Sequence, residues 1–322
     1  MAGFVHLHCH TEYSLLDGAI RLKDLCARAV DFKMPGVAIT DHGNLFGAVL
    51  FYTTAKDFGL NPIIGCEVYV AEDHTKKSQE RYHLVLLAEN KTGYHNLIKI
   101  VTKGWLDGFY YKPRVDKEIL KKYSDGLIAL SACLHGEVQY KLQKQGFEAG
   151  LGAAREYEHI FPGRFYLEMQ ANGIKEQEEV NIKLQEMAQK TGLPLVATND
   201  CHYLNKDDVE AHDILLCIQT NSKVNDQGRM RFDTDELYFK SPEEMERAFK
   251  DCPLALENVE EIARRCQVEL ELGKHHFPVY TLPEGVTLED EFVRLSREGL
   301  KQRLKDLPMR WMNKSTGRDW NR

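Results

Sequence analysis

Histidine and carboxylate side chains recur at short, even spacings in this sequence. The stretch FVHLHCHTEYS places His6, His8 and His10 at every second position, and a later apolar run ends in the pair Asp200 and His202. In an extended strand, side chains two positions apart lie on the same face of the sheet. Imidazole and carboxylate groups on one face are donors for a divalent metal ion. Metal binding is therefore the first chemistry that the spacing suggests.

Further donor side chains lie on the other apolar runs of the sequence. They are Asp41, His42, Glu67, His83 and Cys133. Taken singly, each is a weak signal, because a histidine on an apolar strand is more often a hydrogen-bonded core residue than a ligand. Taken together, they exceed the roughly four ligands of one zinc ion and predict a cluster of two or three ions. Such a cluster can hold both the attacking and the leaving oxygen of a phosphate ester.

Seven apolar runs that alternate with helical segments are predicted to be the β-strands that position these donors. They span residues 4–10, 36–42, 61–70, 82–90, 126–134, 164–170 and 193–202. Alternation of strand and helix is typical of parallel α/β folds. The polar residues concentrate towards the C-terminal ends of the runs, and a closed parallel barrel gathers such residues at one rim. We therefore predict a closed barrel rather than an open sheet.

The strand–helix rhythm changes after residue 203, where amphipathic helical segments follow one another. One of them begins with a capping box, in which Ser241 is the N-cap, Pro242 the first helical residue and Glu244 the reciprocal partner. Proline and glycine residues around 275–287 mark a boundary. We predict a barrel core over about 1–205, a small helical extension over 206–275 within the same domain of residues 1–275, and a separate segment over 276–322.

Composition and charge limit the class of protein. The chain has 43% hydrophobic and 28% charged residues, with no secretion signal and no apolar run long enough to span a bilayer, so we predict a cytoplasmic protein without a membrane partner. The eight cysteines are predicted to be reduced thiols. The net charge of −7 lacks the overall basic character of a nucleic-acid-binding protein, so any DNA contact must be local.

A series of motifs in this sequence resembles a known family. The motifs are HLHCHTEYSLLDG, AITDHGNLFG, IIGCEVYV, YHLVLLAEN, GFYYKPRVD, SACLHGE and VATNDCHYL. They are similar to those of the PHP (polymerase and histidinol phosphatase) domain family. The closest resemblance is to the branch that forms the N-terminal region of the bacterial DNA polymerase III alpha subunit. It runs from residue 4 to about residue 300 and includes RFDTDELYFKSPEEM.

The resemblance implies an α/β fold, a distorted (β/α)7 TIM-like barrel with a three-metal centre. On that pattern the metal ligands are His8, His10, Asp17, His42, Glu67, His83, Cys133, Asp200 and His202. Zinc is the expected metal, with manganese or iron as alternatives. Many family members have histidine where this chain has Cys133, so this residue is interpreted either as a thiolate ligand or as a buried, inert thiol.

Two carboxylates have more than one interpretation. Asp17 is either a ligand with a catalytic role or the cap of a helix that begins near Leu22. Asp41 is a ligand, a catalytic base or a group that orients His42. His6 is one step deeper than the two ligands that follow it, and we assign it to the barrel core or to their support.

Lys112 and Arg114, which follow Tyr110 and Tyr111, are the predicted substrate-binding residues. Their cations suit phosphate groups and the tyrosine rings suit stacked bases. The alternative is an ordinary solvated loop.

The resemblance implies a metal-dependent phosphoesterase that acts on the 3′ end of DNA as a 3′→5′ proofreading exonuclease, with replisome subunits as partners. One alternative is a non-catalytic docking module of the replisome whose metals stabilise the fold. The other is a free-standing phosphatase of small phosphate monoesters. The chain lacks a convincing palm, fingers or thumb and is not expected to polymerise DNA by itself. Residues 276–322 are interpreted as the start of a palm region or as a truncated tail.

Overall fold

A computed structural model describes residues 3–275 and 277–306 of the chain. The chain divides into two units, of which the first ends at Leu270 and the second begins at Glu271. Helix α11 (Leu288–Asp306) belongs to the second unit. Residues 276 and 307–322, which include the end of the predicted C-terminal segment, lie outside the described residues.

The first unit contains eight strands and ten α-helices among its described residues. The strands are β1 (Gly36–Ile39), β2 (Asn61–Val70), β3 (Tyr82–Ala88), β4 (Phe109–Tyr110), β5 (Lys112–Val115), β6 (Leu127–Leu130), β7 (Phe165–Gln170) and β8 (Leu195–Thr198). The helices are α1 (Leu22–Asp31), α2 (Ala48–Asp57), α3 (Lys91–Leu106), α4 (Lys117–Lys122), α5 (Glu137–Lys144), α6 (Phe147–Ile160), α7 (Lys175–Thr191), α8 (Val209–Thr220), α9 (Pro242–Ala248) and α10 (Pro253–Arg265).

Backbone pairing joins six of these strands in the order β1-β2-β3-β6-β7-β8. Strand β3 is antiparallel to both of its neighbours, whereas the other pairs in this order are parallel. The prediction of an all-parallel barrel is therefore wrong at β3. The connection over residues 71–81 contains no helix, and parallel neighbours need a longer crossover that is usually helical. Strands β4 and β5 form a small hairpin that pairs with the end of β2.

The segment over residues 4–10 closes the ring of strands. On one side Ala38 N donates to His6 O (2.9 Å). On the other side His10 N donates to Cys201 O (2.8 Å). The segment bends at Leu7 and His8, so it is extended without being the regular strand that its alternation predicts. Seven chain segments thus surround one core, and the predicted distorted (β/α)7 barrel is confirmed.

Apolar strand residues fill the barrel and face the helices around it. All four residues of β6 and all six of β7 are buried, as expected for strands covered on both sides. Three helices, α8, α9 and α10, follow the barrel in the chain. Ser241 and Glu244 form the predicted capping box at the start of α9. Among the described residues, no helix combines the length and the apolar character that a membrane crossing requires.

Candidate metal centre

Glu67 lies at the centre of the converging imidazoles at one end of the barrel. Its side chain is 1% exposed, and Oε1 lies 2.7 Å from His42 Nδ1 and 2.9 Å from His83 Nδ1. The other oxygen, Oε2, lies 3.1 Å from His8 Nε2. Strand β2 supplies Glu67, and His42 follows β1. His83 reaches the same rim from the start of β3, because that strand runs in the opposite direction.

His8, His10 and Asp200 form a first donor group. Asp200 Oδ1 lies 3.2 Å from the Nε2 atom of each histidine, and the two Nε2 atoms are 3.1 Å apart. Neighbouring ligand atoms of a tetrahedral zinc ion, each about 2.0–2.1 Å from the metal, are separated by roughly 3.3 Å. Asp200 Oδ1 is buried without a hydrogen-bond partner. The group therefore fits one divalent ion.

A second donor group consists of His10, His42 and His202, with Asp17 beside it. Asp17 Oδ2 lies 2.9 Å from His42 Nε2. Gly18 holds this loop against the first segment, since a Cβ there would lie 2.1 Å from Thr11 O. Helix α1 begins at Leu22 without a side-chain cap. Asp17 is therefore not the helix cap that was one of its two interpretations.

His83, Cys133 and His135 form a third donor group at the exposed edge of the rim. Cys133 Sγ lies 3.6 Å from His83 Nδ1 and 4.0 Å from His135 Nδ1. Burial, together with the nearby carboxylates Asp200 and Glu67, raises the pKa of the Cys133 thiol. His135 is not among the predicted ligands, although it stands two residues after Cys133 in the motif SACLHGE.

The carboxylates and imidazoles of this cluster shift one another's pKa values. Burial lowers the pKa of His8 and His42, but the neighbouring carboxylates raise it more strongly, to about 10 for His42. The pKa of Glu67 and of Asp200 lies below the ordinary range, because the imidazoles around them outweigh the effect of burial. Burial and the nearby His42 and His202 lower the pKa of His10 to about 3. These are ionised carboxylates among imidazoles, the donor set that divalent transition metals bind.

Comparison with known proteins identifies the family. The model described as "PHP domain" matches residues 6–172 of this chain. This chain belongs to the PHP domain family. The PHP domain chain is 42% identical to the DNA polymerase III subunit alpha of Helicobacter pylori (strain ATCC 700392 / 26695), over 95% of this chain and 27% of that protein. It is 44% identical to the same subunit of Borreliella burgdorferi, over 94% of this chain and 27% of that protein. It is 43% identical to the subunit of Thermus aquaticus, over 94% of this chain and 26% of that protein.

The PHP domain chain therefore spans about a quarter of the length of these curated relatives. Among solved structures, a two-domain protein of Bacteroides vulgatus with a predicted PHP-like metal-dependent phosphoesterase aligns at a TM-score of 0.40 and 13% identity, over 85% of this chain and 72% of that one. An amidohydrolase of Chromobacterium violaceum aligns at a TM-score of 0.38 and 15% identity, over 62% of this chain and 87% of that one.

Asp41 of the PHP domain forms hydrogen bonds that orient one of the donor histidines. Its carboxylate accepts hydrogen bonds from Thr11 N (2.7 Å), the Thr11 hydroxyl and the Ser14 hydroxyl (2.8 Å). Ser14 Oγ in turn accepts from His10 Nδ1 (3.0 Å). This chain of bonds keeps the proton on Nδ1 and leaves His10 Nε2 free to bind a metal. Of the three interpretations of Asp41, the geometry favours an orienting group, and the imidazole it orients through Ser14 is that of His10.

Glu168 orients the ring of His8 in the same way and is not among the predicted site residues. It lies within β7, and its Oε1 accepts from His8 Nδ1 (2.7 Å) and from Thr198 Oγ1 (2.5 Å). A carboxylate–histidine pair of this kind fixes the ring and its tautomer for metal binding. The only sequence signal is one acidic residue in the apolar run RFYLEMQ.

His6 lies apart from the three donor groups. Its ring packs against Phe239, and Nε2 lies 2.8 Å from Lys240 O. Nδ1 lies 3.4 Å from Cys201 Sγ. The bend at residues 7 and 8 separates His6 from the two histidines that follow it, and its contacts place it in the core beside the extension.

The two predicted substrate-binding residues lie in different environments. Lys112 Nζ lies 5.5 Å from the centre of the Tyr69 ring, which is 5.2 Å from His83. Arg114 is 1% exposed, and its guanidinium donates to the carbonyl oxygens of Gly108, Ser78 and His74. This interior position contradicts the prediction for Arg114, because its donors already bind the backbone. Lys112 remains a candidate beside the metal centre.

Proposed function

We propose that this PHP domain is a metal-dependent phosphoesterase that removes nucleotides from the 3′ end of DNA. The observation that supports this most strongly is the position of Glu67, whose carboxylate contacts one imidazole from each of the three donor groups: His8, His42 and His83. A shared carboxylate of this kind suits two or three neighbouring ions, as in two-metal phosphoesterase sites.

The proposed ligands are the nine residues of the family pattern. They are His8, His10, Asp17, His42, Glu67, His83, Cys133, Asp200 and His202. Imidazole and thiolate donors favour zinc, with manganese or iron as alternatives. When bound, the ions would supply Lewis-acid activation of water and charge stabilisation at phosphorus. The chain's own residues fix the donor atoms, exclude bulk water from Glu67 and hold the protons of His8 and His10 on Nδ1.

Exposed aromatic rings beside the centre suit a single-stranded substrate. Trp105 Nε1 donates a hydrogen bond to Gly43 O (2.8 Å), and Gly43 directly follows His42 in the chain. Phe109 stacks on Trp105 with ring centres 5.3 Å apart, and both side chains are exposed. Bases stack on such rings with little sequence preference. Together with the relatives' identity as DNA polymerase III alpha subunits, this favours DNA as the substrate class and a replisome as the setting.

A nuclease assay tests the proposed function. Metal-free protein supplied with zinc or manganese should shorten single-stranded DNA labelled at its 5′ end, one nucleotide at a time from the 3′ end. Circular single-stranded DNA should remain intact. Hydrolysis of p-nitrophenyl phosphate without any shortening of DNA would instead support a phosphatase of small monoesters, and inactivity on both substrates would support a docking module.

Replacement of Lys112 tests the substrate side of the site. Lys112→Ala should raise the KM for single-stranded DNA about tenfold and change kcat little, because one phosphate contact is lost. The slope of log KM against log salt concentration should fall in magnitude by about one. Lys250→Ala removes an exposed lysine in the turn that follows α9 and serves as the control. Equal KM values and salt slopes for the two variants would remove Lys112 from the substrate site.

A further inference from the structure

Helix α8 brings a buried histidine to the metal centre from outside the barrel. His212 is 2% exposed and belongs to the buried face of α8 together with Leu216 and Cys217. Its ring stacks on Phe232, with centres 5.8 Å apart and planes at 23°. The ring of His202 lies 5.5 Å away. These contacts hold the His212 ring at the edge of the second donor group.

The Nε2 atom of His212 faces a carboxylate oxygen that also lacks a partner. Asp17 Oδ1 is 3.5 Å from His212 Nε2 and 3.9 Å from His202 Nε2. Asp17 Oδ1 and His212 Nε2 are both buried without a hydrogen bond. Buried polar atoms are nearly always paired in folded proteins, so two that face each other need an explanation.

The separation of these atoms matches two ligands of one ion better than a direct hydrogen bond. A charge-assisted bond between imidazole and carboxylate measures about 2.7–2.9 Å. Two atoms bound to one tetrahedral zinc at about 2.0–2.2 Å lie roughly 3.3–3.5 Å apart. The unpaired oxygen and nitrogen at 3.5 Å meet the second condition.

We propose that His212 Nε2 is a further ligand of an ion held by Asp17 and His202. The metal centre then includes an imidazole from the helical extension, which lies beyond the residues matched by the family model. Occupancy of this position ties α8 to the barrel. The inference rests on the metal centre of the proposed function but not on the reaction that the centre performs.

The test measures metal binding without any substrate. Wild-type protein, His212→Ala, His212→Gln and the control His159→Ala are stripped of metal and dialysed against zinc alone, and zinc is counted per chain across a range of free concentrations. His159 is an exposed histidine on α6. The two His212 variants should lose one zinc equivalent or bind it at least about tenfold more weakly. His159→Ala should match the wild type.

Crystals of the zinc-loaded wild-type protein provide a second measurement that does not depend on how the variants fold. An anomalous peak should lie about 2.0–2.3 Å from His212 Nε2 and from an oxygen of Asp17. A zinc ion at Asp17 and His202 with His212 Nε2 more than about 3 Å away would overturn the inference. Unchanged zinc number and affinity in both His212 variants would overturn it as well.

The outcomes separate this inference from the proposed function. Zinc bound through His212 in a protein that hydrolyses no phosphoester would uphold the inference and remove the proposed function. A protein that hydrolyses phosphoesters, but whose zinc binding does not depend on His212, would uphold the proposed function and overturn the inference.

Discussion

Replacement of Glu67 by glutamine should lower the phosphoesterase activity of the metal-loaded PHP domain by at least about a thousandfold. Glutamine has nearly the same size, but it carries no charge and places an amide NH2 or a weak oxygen donor where the carboxylate stood. Glu67 Oε1 contacts both His42 and His83, and Oε2 contacts His8. One substitution therefore disturbs all three donor groups at once.

The measurement of Glu67→Gln pairs kcat on 3′-ended DNA with the number of bound metal ions. Glu137→Gln is the matched control, because Glu137 is also a buried carboxylate but its partners are Lys117, Lys141 and Tyr157. That variant is expected to keep its metal ions and its activity. If Glu67→Gln kept more than about a tenth of the wild-type activity after repurification, the activity would belong to a contaminating nuclease.

The alternation of strands and helices in the sequence predicted the barrel, but it did not predict the direction of β3. The apolar run at 82–90 has the same composition in either direction, and only the helix-free connection over 71–81 distinguishes the two. His83 shows the consequence. It stands at the start of its strand and still reaches the rim, because β3 is antiparallel to both neighbours. Donors at the ends of the parallel strands, such as His42 and Asp200, follow the predicted rule.

The supporting residues were harder to predict than the donors. H-x-H and D-x-H pairs have a spacing that can be recognised, and these gave His8, His10, Asp200 and His202. Glu168 is a single carboxylate within an apolar strand, and His212 is a single histidine on a helix of the extension. Neither has a local pattern, since each is placed by tertiary contacts. Arg114 was predicted to bind substrate because it is a basic residue near two tyrosines. Its guanidinium instead donates to backbone carbonyl groups in the interior.

Removal of the metal ions should lower the Tm of the domain by roughly 10 °C. An ion present at about a thousand times its Kd stabilises the native state by about 4 kcal/mol, and each kcal/mol shifts the Tm of a domain of this size by about 2–4 °C. The donors Asp200 Oδ1 and Asp17 Oδ1 have no hydrogen-bond partner without an ion. Thermal unfolding of zinc-loaded and EDTA-treated protein, each followed by circular dichroism, gives the difference.

The Tm difference should widen as the pH rises from about 6.5 to 9. In the metal-free domain, burial lowers the pKa of His42 while Glu67 and Asp17 raise it, with a net value of about 10. A pKa raised on folding contributes stability that is fully present below the unfolded value of about 6.5 and is lost as the pH approaches 10. Metal ions compete with this proton, so their stabilisation increases over the same range. A difference that narrowed with rising pH would contradict the assignment of His42 as a ligand.

The same unfolding experiment on Glu67→Gln separates a catalytic centre from a structural one. We expect its Tm to respond to EDTA by less than half the wild-type shift, because the carboxylate shared by the donor groups is gone, while Glu137→Gln should respond fully. A large, Glu67-dependent shift in a protein that cleaves neither DNA nor p-nitrophenyl phosphate would assign the ions to stability and docking. No shift in the wild type, at zinc concentrations that saturate activity, would show that catalysis needs ions which the fold does not.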